Sequence, residues 1–346
     1  MFAIDRREDL DFELDDLPRC ALPKRVLVAD PEHFELAYAI NPHMRDERGN
    51  LHRVDRERAR AQWQAWVDAL RAGELEVEVL ESLAGQPDLV FCANQALPVA
   101  RDISPDGVAR VVPSRMAHAE RAGEVAHVVA ALERMGYRVD APAKTSPMEG
   151  MGDGLWHPGR RLLWAGVGPR SSRAAWHEIA ARYRVPTLLL ELVDPKLYHL
   201  DTALALLSED ACLWAPHALS HRSQGLVRAF FPRAIEADAH EAHRSLACNA
   251  FCADGKSVFI DSGAVKTAKS LEHAGFAVTR LDTSEFLKSG GSLFCMKVSV
   301  PPFLGVGVCA HARPPASAKA DAPAKAARRV VRNFAVMSWS CPSKGA

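Results

Sequence analysis

Net charge is the first thing missing from this chain: 43 lysines and arginines balance 43 aspartates and glutamates. A chain without a global field exerts no sequence-independent pull on nucleic acid or anionic lipid, so neither is expected as a partner. Paired CxxC spacing is missing too. The eight cysteines stand at 20, 92, 212, 248, 252, 295, 309 and 341, and the tightest pair, Cys248 and Cys252, is not a zinc signature, so no metal is expected. Such scattered cysteines read as free thiols in a reducing cytoplasm. The longest apolar run, Ser292 to Ala310, is interrupted by Lys297 and Pro301-Pro302, which excludes a spanning helix there. The opening Met1-Phe2-Ala3-Ile4-Asp5-Arg6-Arg7-Glu8-Asp9 has no apolar core behind a basic flank and is not expected to be a secretory signal. What remains is ordinary: 48% apolar and 25% charged residues in 346, the balance of a soluble globular protein with one large core or two modest ones.

Along the chain, residues 1–22 read as an irregular, loose acidic leader, and residues 23–307 as a single α/β domain. Lys24 to Asp30 reads as a strand, Val54 to Ala72 as an amphipathic helix with Trp63, Trp66, Val67 and Leu70 on one side, and Leu75 to Leu80 as a half-buried strand. The pattern recurs. Strands are expected over Leu89–Asn94, Arg161–Gly166, Thr187–Leu192, Ser245–Phe251 and Phe276–Leu281, with helices over 115–135, 172–183 and Ala264–Ala274. The result is about five strand–turn–strand–helix–strand modules, an α/β chain with internal pseudo-repetition. Residues 308–346, rich in Ala, Lys, Arg and Pro between Ala312 and Arg332, read as a disordered basic tail with no assigned function.

Polar residues sit where these modules turn: Asn94, Glu149 with Asp153, His199 with Asp201, and Cys295. Singly, each has a plain alternative as a turn cap, a turn acid, a surface pair or a core thiol. The stretch Leu197-Tyr198-His199-Leu200-Asp201 is read as extended, which would put His199 and Asp201 on the same side. Together the set is chemically coherent. A cysteine with a histidine supplies a thiolate nucleophile and a general acid/base. Carboxylates around them hold a planar cation as they hold guanidinium.

The segments Pro87-Asp88-Leu89-Val90-Phe91-x-x-Asn94, Glu149-Gly-x-Gly-Asp153, His199-x-Asp201 and Gly290-Gly291-Ser292-Leu293-x-Cys295 resemble, in this order, the guanidino-group modifying enzymes. That superfamily contains arginine deiminase, arginine dihydrolase, dimethylarginine dimethylaminohydrolase and the amidinotransferases, and the resemblance spans about Arg25 to Val300. It implies a five-bladed, pseudo-fivefold symmetric α/β propeller, the pentein fold, with a central active site and no cofactor. It further implies Cys295 as the nucleophile of a covalent thiouronium intermediate and His199 as the acid and then base. Glu149 would be the carboxylate paired with that histidine, and Asp201 the second guanidinium acid. Arg170 and Arg115 would bind the α-carboxylate of an amino acid, and Asn41 would face substrate or cap a turn. Dimethylarginine hydrolases of this superfamily carry lysine where this chain has Asp201, while deiminases carry aspartate where it has Asn94. Arginine dihydrolase resembles this chain at both places.

The expected function is therefore hydrolysis of the guanidinium C–N bond of arginine or a close analogue, giving citrulline or ornithine with ammonia. Its partner would be a small guanidino substrate, with a homo-oligomer possible. The alternatives are an amidinotransferase with an amine acceptor, a dimethylarginine dimethylaminohydrolase giving citrulline and dimethylamine, a silent binding relative, and a metal enzyme using His199, Asp201 and Asp153.

Overall fold

Alternation along the strands explains how the protein is layered. In Arg25–Ala29, Val26 and Val28 enter one apolar cluster while Leu27 and Ala29 enter another. In Leu163–Val167, Trp164 and its neighbours Leu163 and Ala165 likewise part to opposite sides. Successive side chains of a strand point to opposite faces, so these strands are apolar throughout because both of their faces are covered. The structure is a computed structural model that describes residues 2–144 and 146–301, within one compact unit, Met1–Gly307.

Five separate sheets carry the same plan. Each has a central strand antiparallel to the strand before it in the module and parallel to the strand after it. The central strands are Arg25–Ala29, Arg110–Pro113, Leu163–Val167, Ala211–Trp214 and Ser257–Asp261. A parallel partner requires a crossover, and in each module a helix supplies it: Arg56–Ala72, Ala122–Arg134, Arg173–Tyr183, His221–Phe230 and Val265–His273. The first of these helices is capped by Asp55, whose side chain accepts from the Arg58 backbone N–H, and buries Trp63, Trp66, Val67 and Leu70. The first sheet is completed from the far end of the described chain, Val298–Val300 pairing antiparallel with Arg25–Leu27. The modular α/β expectation holds at this level. The five sheets are hydrogen-bonded separately, so strand pairing by itself does not close a propeller.

Several local expectations are corrected. Residues 2–22 are irregular but not loose: Ala3–Ile4 extends a sheet beside Thr187–Leu188, Ile4 and Leu17 are buried, and Asp15 pairs with Arg160. Leu89–Asn94 is not a strand. Pro87 fixes a first turn, and two 3-10 turns, Pro87–Val90 and Cys92–Gln95, precede the strand Ala96–Val99. The helix expected from 115 starts at Ala122, and Ser245–Phe251 is strand only at Phe251–Cys252. The stretch after His199 is a helical turn, Leu200–Ala203, so His199 and Asp201 are not strand neighbours. The basic tail at 308–346 lies outside the described residues. Among the described residues no helix is long and apolar enough to cross a membrane.

Candidate active site

The same short turn recurs just before the first strand of each module, and the turns touch one another in sequence around the molecule. The Ala93 N–H donates to the Cys295 carbonyl at 3.1 Å. The Asn249 amide Nδ2 donates to the Asp201 carbonyl and to Cys295 Sγ, both at 3.1 Å, while its Oδ1 accepts from the Ser292 and Cys295 N–H groups. The Leu200 N–H donates to Asp153 Oδ1 at 2.9 Å. Gly152 lies so close to Asn94 that a methyl on it would fall 2.2 Å from Nδ2. One circuit of contacts thus joins the turns carrying Asn94, Asp153, Asp201, Asn249 and Cys295. Glycine is required on it: Gly150 has φ +44°, and a Cβ there would stand 2.4 Å from the Ala96 carbonyl oxygen.

On this circuit the thiol and its acids are buried. The Cys295 thiol donates to Asp201 Oδ2 at 3.1 Å. Burial and the Asp201 charge raise the Cys295 pKa well above the usual thiol value, and burial raises Asp201 to about 7. His199 Nε2 bonds Glu149 Oε2 at 2.7 Å. Burial alone would raise Glu149, but the bond to His199, with the nearby charges of His199, Arg170 and Arg121, brings it down to about 2. An ionised carboxylate only accepts, so the His199 nitrogen facing it carries the proton. Glu149 Oε1 also accepts from the Ala117 N–H at 2.9 Å, and Oε2 is 3.2 Å from Arg170 Nη1. That carboxylate already holds one guanidinium. Asp153, pushed up to about 6 by burial, accepts from Ser171 Oγ and from the Leu200 backbone, so it braces the turn after His199.

A narrow cleft opens onto this group, lined by Asn41, Asn94, Arg170, Tyr198 and Cys295 among others; Asp201 and Glu149 are buried behind that lining, bonded to Cys295 and Arg170, and His199 is bonded to Glu149. Arg170 donates to the Ile40 carbonyl and stacks 4.8 Å from the Tyr198 ring centre. Asn41 lines the cleft, but its amide is spent on Ser289 and His43 backbone atoms, a turn-capping use. Arg115 is elsewhere: it is exposed, and its guanidinium donates to the Ala143 and Lys144 carbonyls. A larger apolar cavity, lined by Met151, Trp156, Phe251 and Phe294, contains neither the thiol nor the imidazole.

Sequence reasoning missed four residues here. Asp88 lines the cleft, with Oδ1 taken by Ser289 Oγ and Oδ2 unpartnered; its place in Pro87-Asp88-Leu89-Val90-Phe91 was the available signal. Arg121, only 4% exposed, donates to Asn94 Oδ1 at 2.7 Å and forks onto Glu124. Asn249 carries the hydrogen bonds that fix Cys295. Lys297, fully buried and pushed down to about 7 by that burial, stacks on Phe294 and donates to Ser299 Oγ. Nothing in the spacing around Arg121, Asn249 or Lys297 announced them.

A buried thiol beside one acid, with an imidazole fixed by another, is the apparatus of a cysteine-dependent enzyme on an α/β scaffold, of the guanidino-group modifying class expected from the motifs. The family described as N,N dimethylarginine dimethylhydrolase, eukaryotic, matches residues 30–301, and the chain belongs to it. The chain is 38% identical to N(G),N(G)-dimethylarginine dimethylaminohydrolase of Mycobacterium tuberculosis, over 81% of this chain and 86% of that one. It is 34% identical to the bifunctional arginine dihydrolase/ornithine cyclodeaminase AgrE of Nostoc, over 80% of this chain but only 38% of AgrE. Among solved structures, the substrate-bound N-terminal domain of ArgZ, a cyanobacterial arginine dihydrolase, superposes with a TM-score of 0.73 at 31% identity, covering 81% of this chain and 99% of that domain. The relatives therefore carry both substrate names.

Proposed function

We propose that the protein hydrolyses the guanidinium C–N bond of arginine or a close analogue through a covalent bond to Cys295, releasing ammonia with citrulline, or ammonia and carbon dioxide with ornithine. The observation that supports this most is the placement of Cys295 Sγ, at the cleft, 3.1 Å from one acid, Asp201, with the His199–Glu149 pair at 2.7 Å bonded to the cleft-lining Arg170. Asp201 Oδ1 and Asp88 Oδ2 are buried and unpartnered, and a guanidinium supplies the donors they lack. Its positive charge offsets the burial and the Asp201 field that keep the thiol protonated, so the nucleophile forms as substrate arrives. The thiolate adds to the guanidinium carbon, His199 gives a proton to the departing amine, and the imidazole then takes a proton from the water that releases the product. On this reading the five sheets close into the pentein propeller, with the circuit of turns as its centre.

Asn94 supports a second hydrolysis. Its Oδ1 is held by Arg121, so the atom free to meet substrate is the donor Nδ2. A donor suits the oxygen of a neutral ureido group better than a cation. The dimethylarginine reading has its own support in the family match and the mycobacterial relative. One assay separates them: purified full chain with arginine or N,N-dimethylarginine, scored for ammonia, dimethylamine, citrulline and ornithine. Ornithine and ammonia from arginine is the expected result. Dimethylamine alone replaces arginine by its methylated form as substrate, and absence of every product above a Cys295→Ala control defeats both.

The pH profile gives a further check. Asp201 binds a cation only when ionised, and its carboxyl is raised to about 7. Wild-type kcat/KM is therefore expected to fall towards tenfold per pH unit below about 7. Asp201→Asn should lower kcat/KM at pH 8 and remove that limb, and a limb left unchanged in the variant would assign it to another group. Because the folded carboxyl lies above its unfolded value, its contribution to stability is present at low pH and lost as pH rises through about 7. The variant should therefore gain thermal stability relative to wild type across that window, by on the order of 4 kcal/mol at most.

A further inference from the structure

Away from the thiol, Asp194, His217 and His243 come together from three elements. Asp194 follows the strand Thr187–Glu191, His217 lies in the 3-10 turn Pro216–Ala218, and His243 is in the helix Ala239–Arg244. Asp194 Oδ2 is 2.6 Å from His243 Nε2 and 3.8 Å from His217 Nε2, and the three ligand atoms lie within 4.8 Å of one another. The two imidazole rings are 5.1 Å apart and nearly perpendicular. Backbone bonds hold the arrangement: the Val193 N–H donates to the Ala218 carbonyl at 2.9 Å, and Leu192 bridges Leu219. The other oxygen of Asp194 accepts from the Lys196 N–H at 2.8 Å, which orients the carboxylate.

We propose that Asp194, His217 and His243 bind one divalent transition-metal ion of the zinc class, with the remaining coordination position left to water. Two imidazole nitrogens and one carboxylate oxygen are a donor set that zinc accepts, at about 2.0–2.2 Å from the metal. Tetrahedral ligands at those lengths stand roughly 3.3–3.5 Å apart, so the site forms when the exposed His217 ring turns in from 3.8 Å and the Asp194–His243 pair opens from 2.6 Å. The aspartate also serves the histidine pair without metal, as an ion pair; the experiment below separates the two.

The ion would act on the catalytic loop from outside. Asp194 opens the turn that leads to Tyr198 and His199, and the Lys196 carbonyl in it is 2.8 Å from His43 Nε2, on the segment that carries Asn41 and Met44 at the cleft. A bound metal ties that turn to two further elements.

The test uses the full chain freed of metal by chelation, in a Cys295→Ala background so that the active-site thiol cannot contribute. Zn²⁺ titrated by calorimetry is expected to bind at one equivalent, and His217→Ala or His243→Gln in that background to weaken it at least about 100-fold. Zn²⁺ is expected to raise the melting temperature of the parent and not of those variants. Co²⁺ should give ligand-field bands without thiolate-to-metal charge transfer. No binding to the parent, binding unchanged in both histidine variants, or a charge-transfer band each overturns the proposal. Circular dichroism of the variants, unchanged, ties the loss to the ligands and not to misfolding.

Discussion

Cys295→Ala is expected to bind arginine within about tenfold of wild type and to lose turnover by at least about 10⁴. The proposed binding groups survive the change, because Asp88 lines the cleft from another turn and Asp201 and Glu149 are held behind its lining by bonds of their own. What disappears is the thiol proposed to form the covalent bond. Removing the thiol also removes the donor that Asp201 Oδ2 now faces, which leaves that carboxylate freer to accept from a guanidinium. Calorimetry with arginine, single-turnover assays and intact-protein mass spectrometry check this together: wild type should carry a substrate adduct on Cys295, and the variant none. Turnover retained by the alanine variant would eliminate the covalent route.

The second large effect is at Glu149. Replacement by glutamine preserves the shape and cannot preserve the bonding. Glu149 accepts from the Ala117 N–H on one oxygen, and from His199 Nε2 and Arg170 Nη1 on the other. A glutamine has one acceptor oxygen and an NH₂, so one side must set donor against donor. With the oxygen turned to Ala117, the amide faces both the imidazole and the guanidinium, and His199 loses the anion that holds its proton in place. Glu149→Gln is expected to lower kcat by about 10³, within the range that general acid–base catalysis contributes. Substrate binding should weaken far less, and the effect should not be additive with His199→Gln. Additive losses would mean that the two residues act separately. Because the carboxylate is held at about 2, wild-type activity should show no loss attributable to Glu149 until pH falls far below neutrality.

Much of this site was legible in the sequence because its chemistry is local. A cysteine after Gly-Gly-Ser-Leu, a histidine two residues before an aspartate, and a glutamate before Gly-Met-Gly-Asp each name a side chain and a turn at once, and the structure brings Cys295, His199, Glu149 and Asp201 together. The five modules were legible too, through the switch from strand to helix periodicity. What escaped depends on distance. Arg121 falls inside the expected helix over 115–135, where nothing marks it; it is buried because Asn94, Glu124 and the carbonyls of Asp88 and Phe91 surround it, and none of that is visible from its neighbours. Asn249 falls inside the expected strand Ser245–Phe251, yet its side chain makes four hydrogen bonds that fix the turn of Cys295. The same-face argument for His199 and Asp201 rested on an extended backbone. Asp153 accepting the Leu200 N–H and Thr202 bonding back to the His199 carbonyl select a helical turn, and these are tertiary and side-chain choices.

The pairing of Val298–Val300 with Arg25–Leu27 has a consequence for the order of events in folding. Cys295, the proposed nucleophile, sits three residues before the strand that completes the first sheet, so thiol and final strand arrive together. Until that strand docks, the segment bearing Cys295 lacks its sheet partner, even if the turns carrying His199, Glu149 and Asp201 have already formed. Bringing such distant parts of the chain together carries the largest loop-closure entropy of the assembly, and a step of that kind comes slowly and late. On the proposed mechanism, a chain in which this strand has not paired would hold its thiol without the sheet that positions it, and would not turn over substrate.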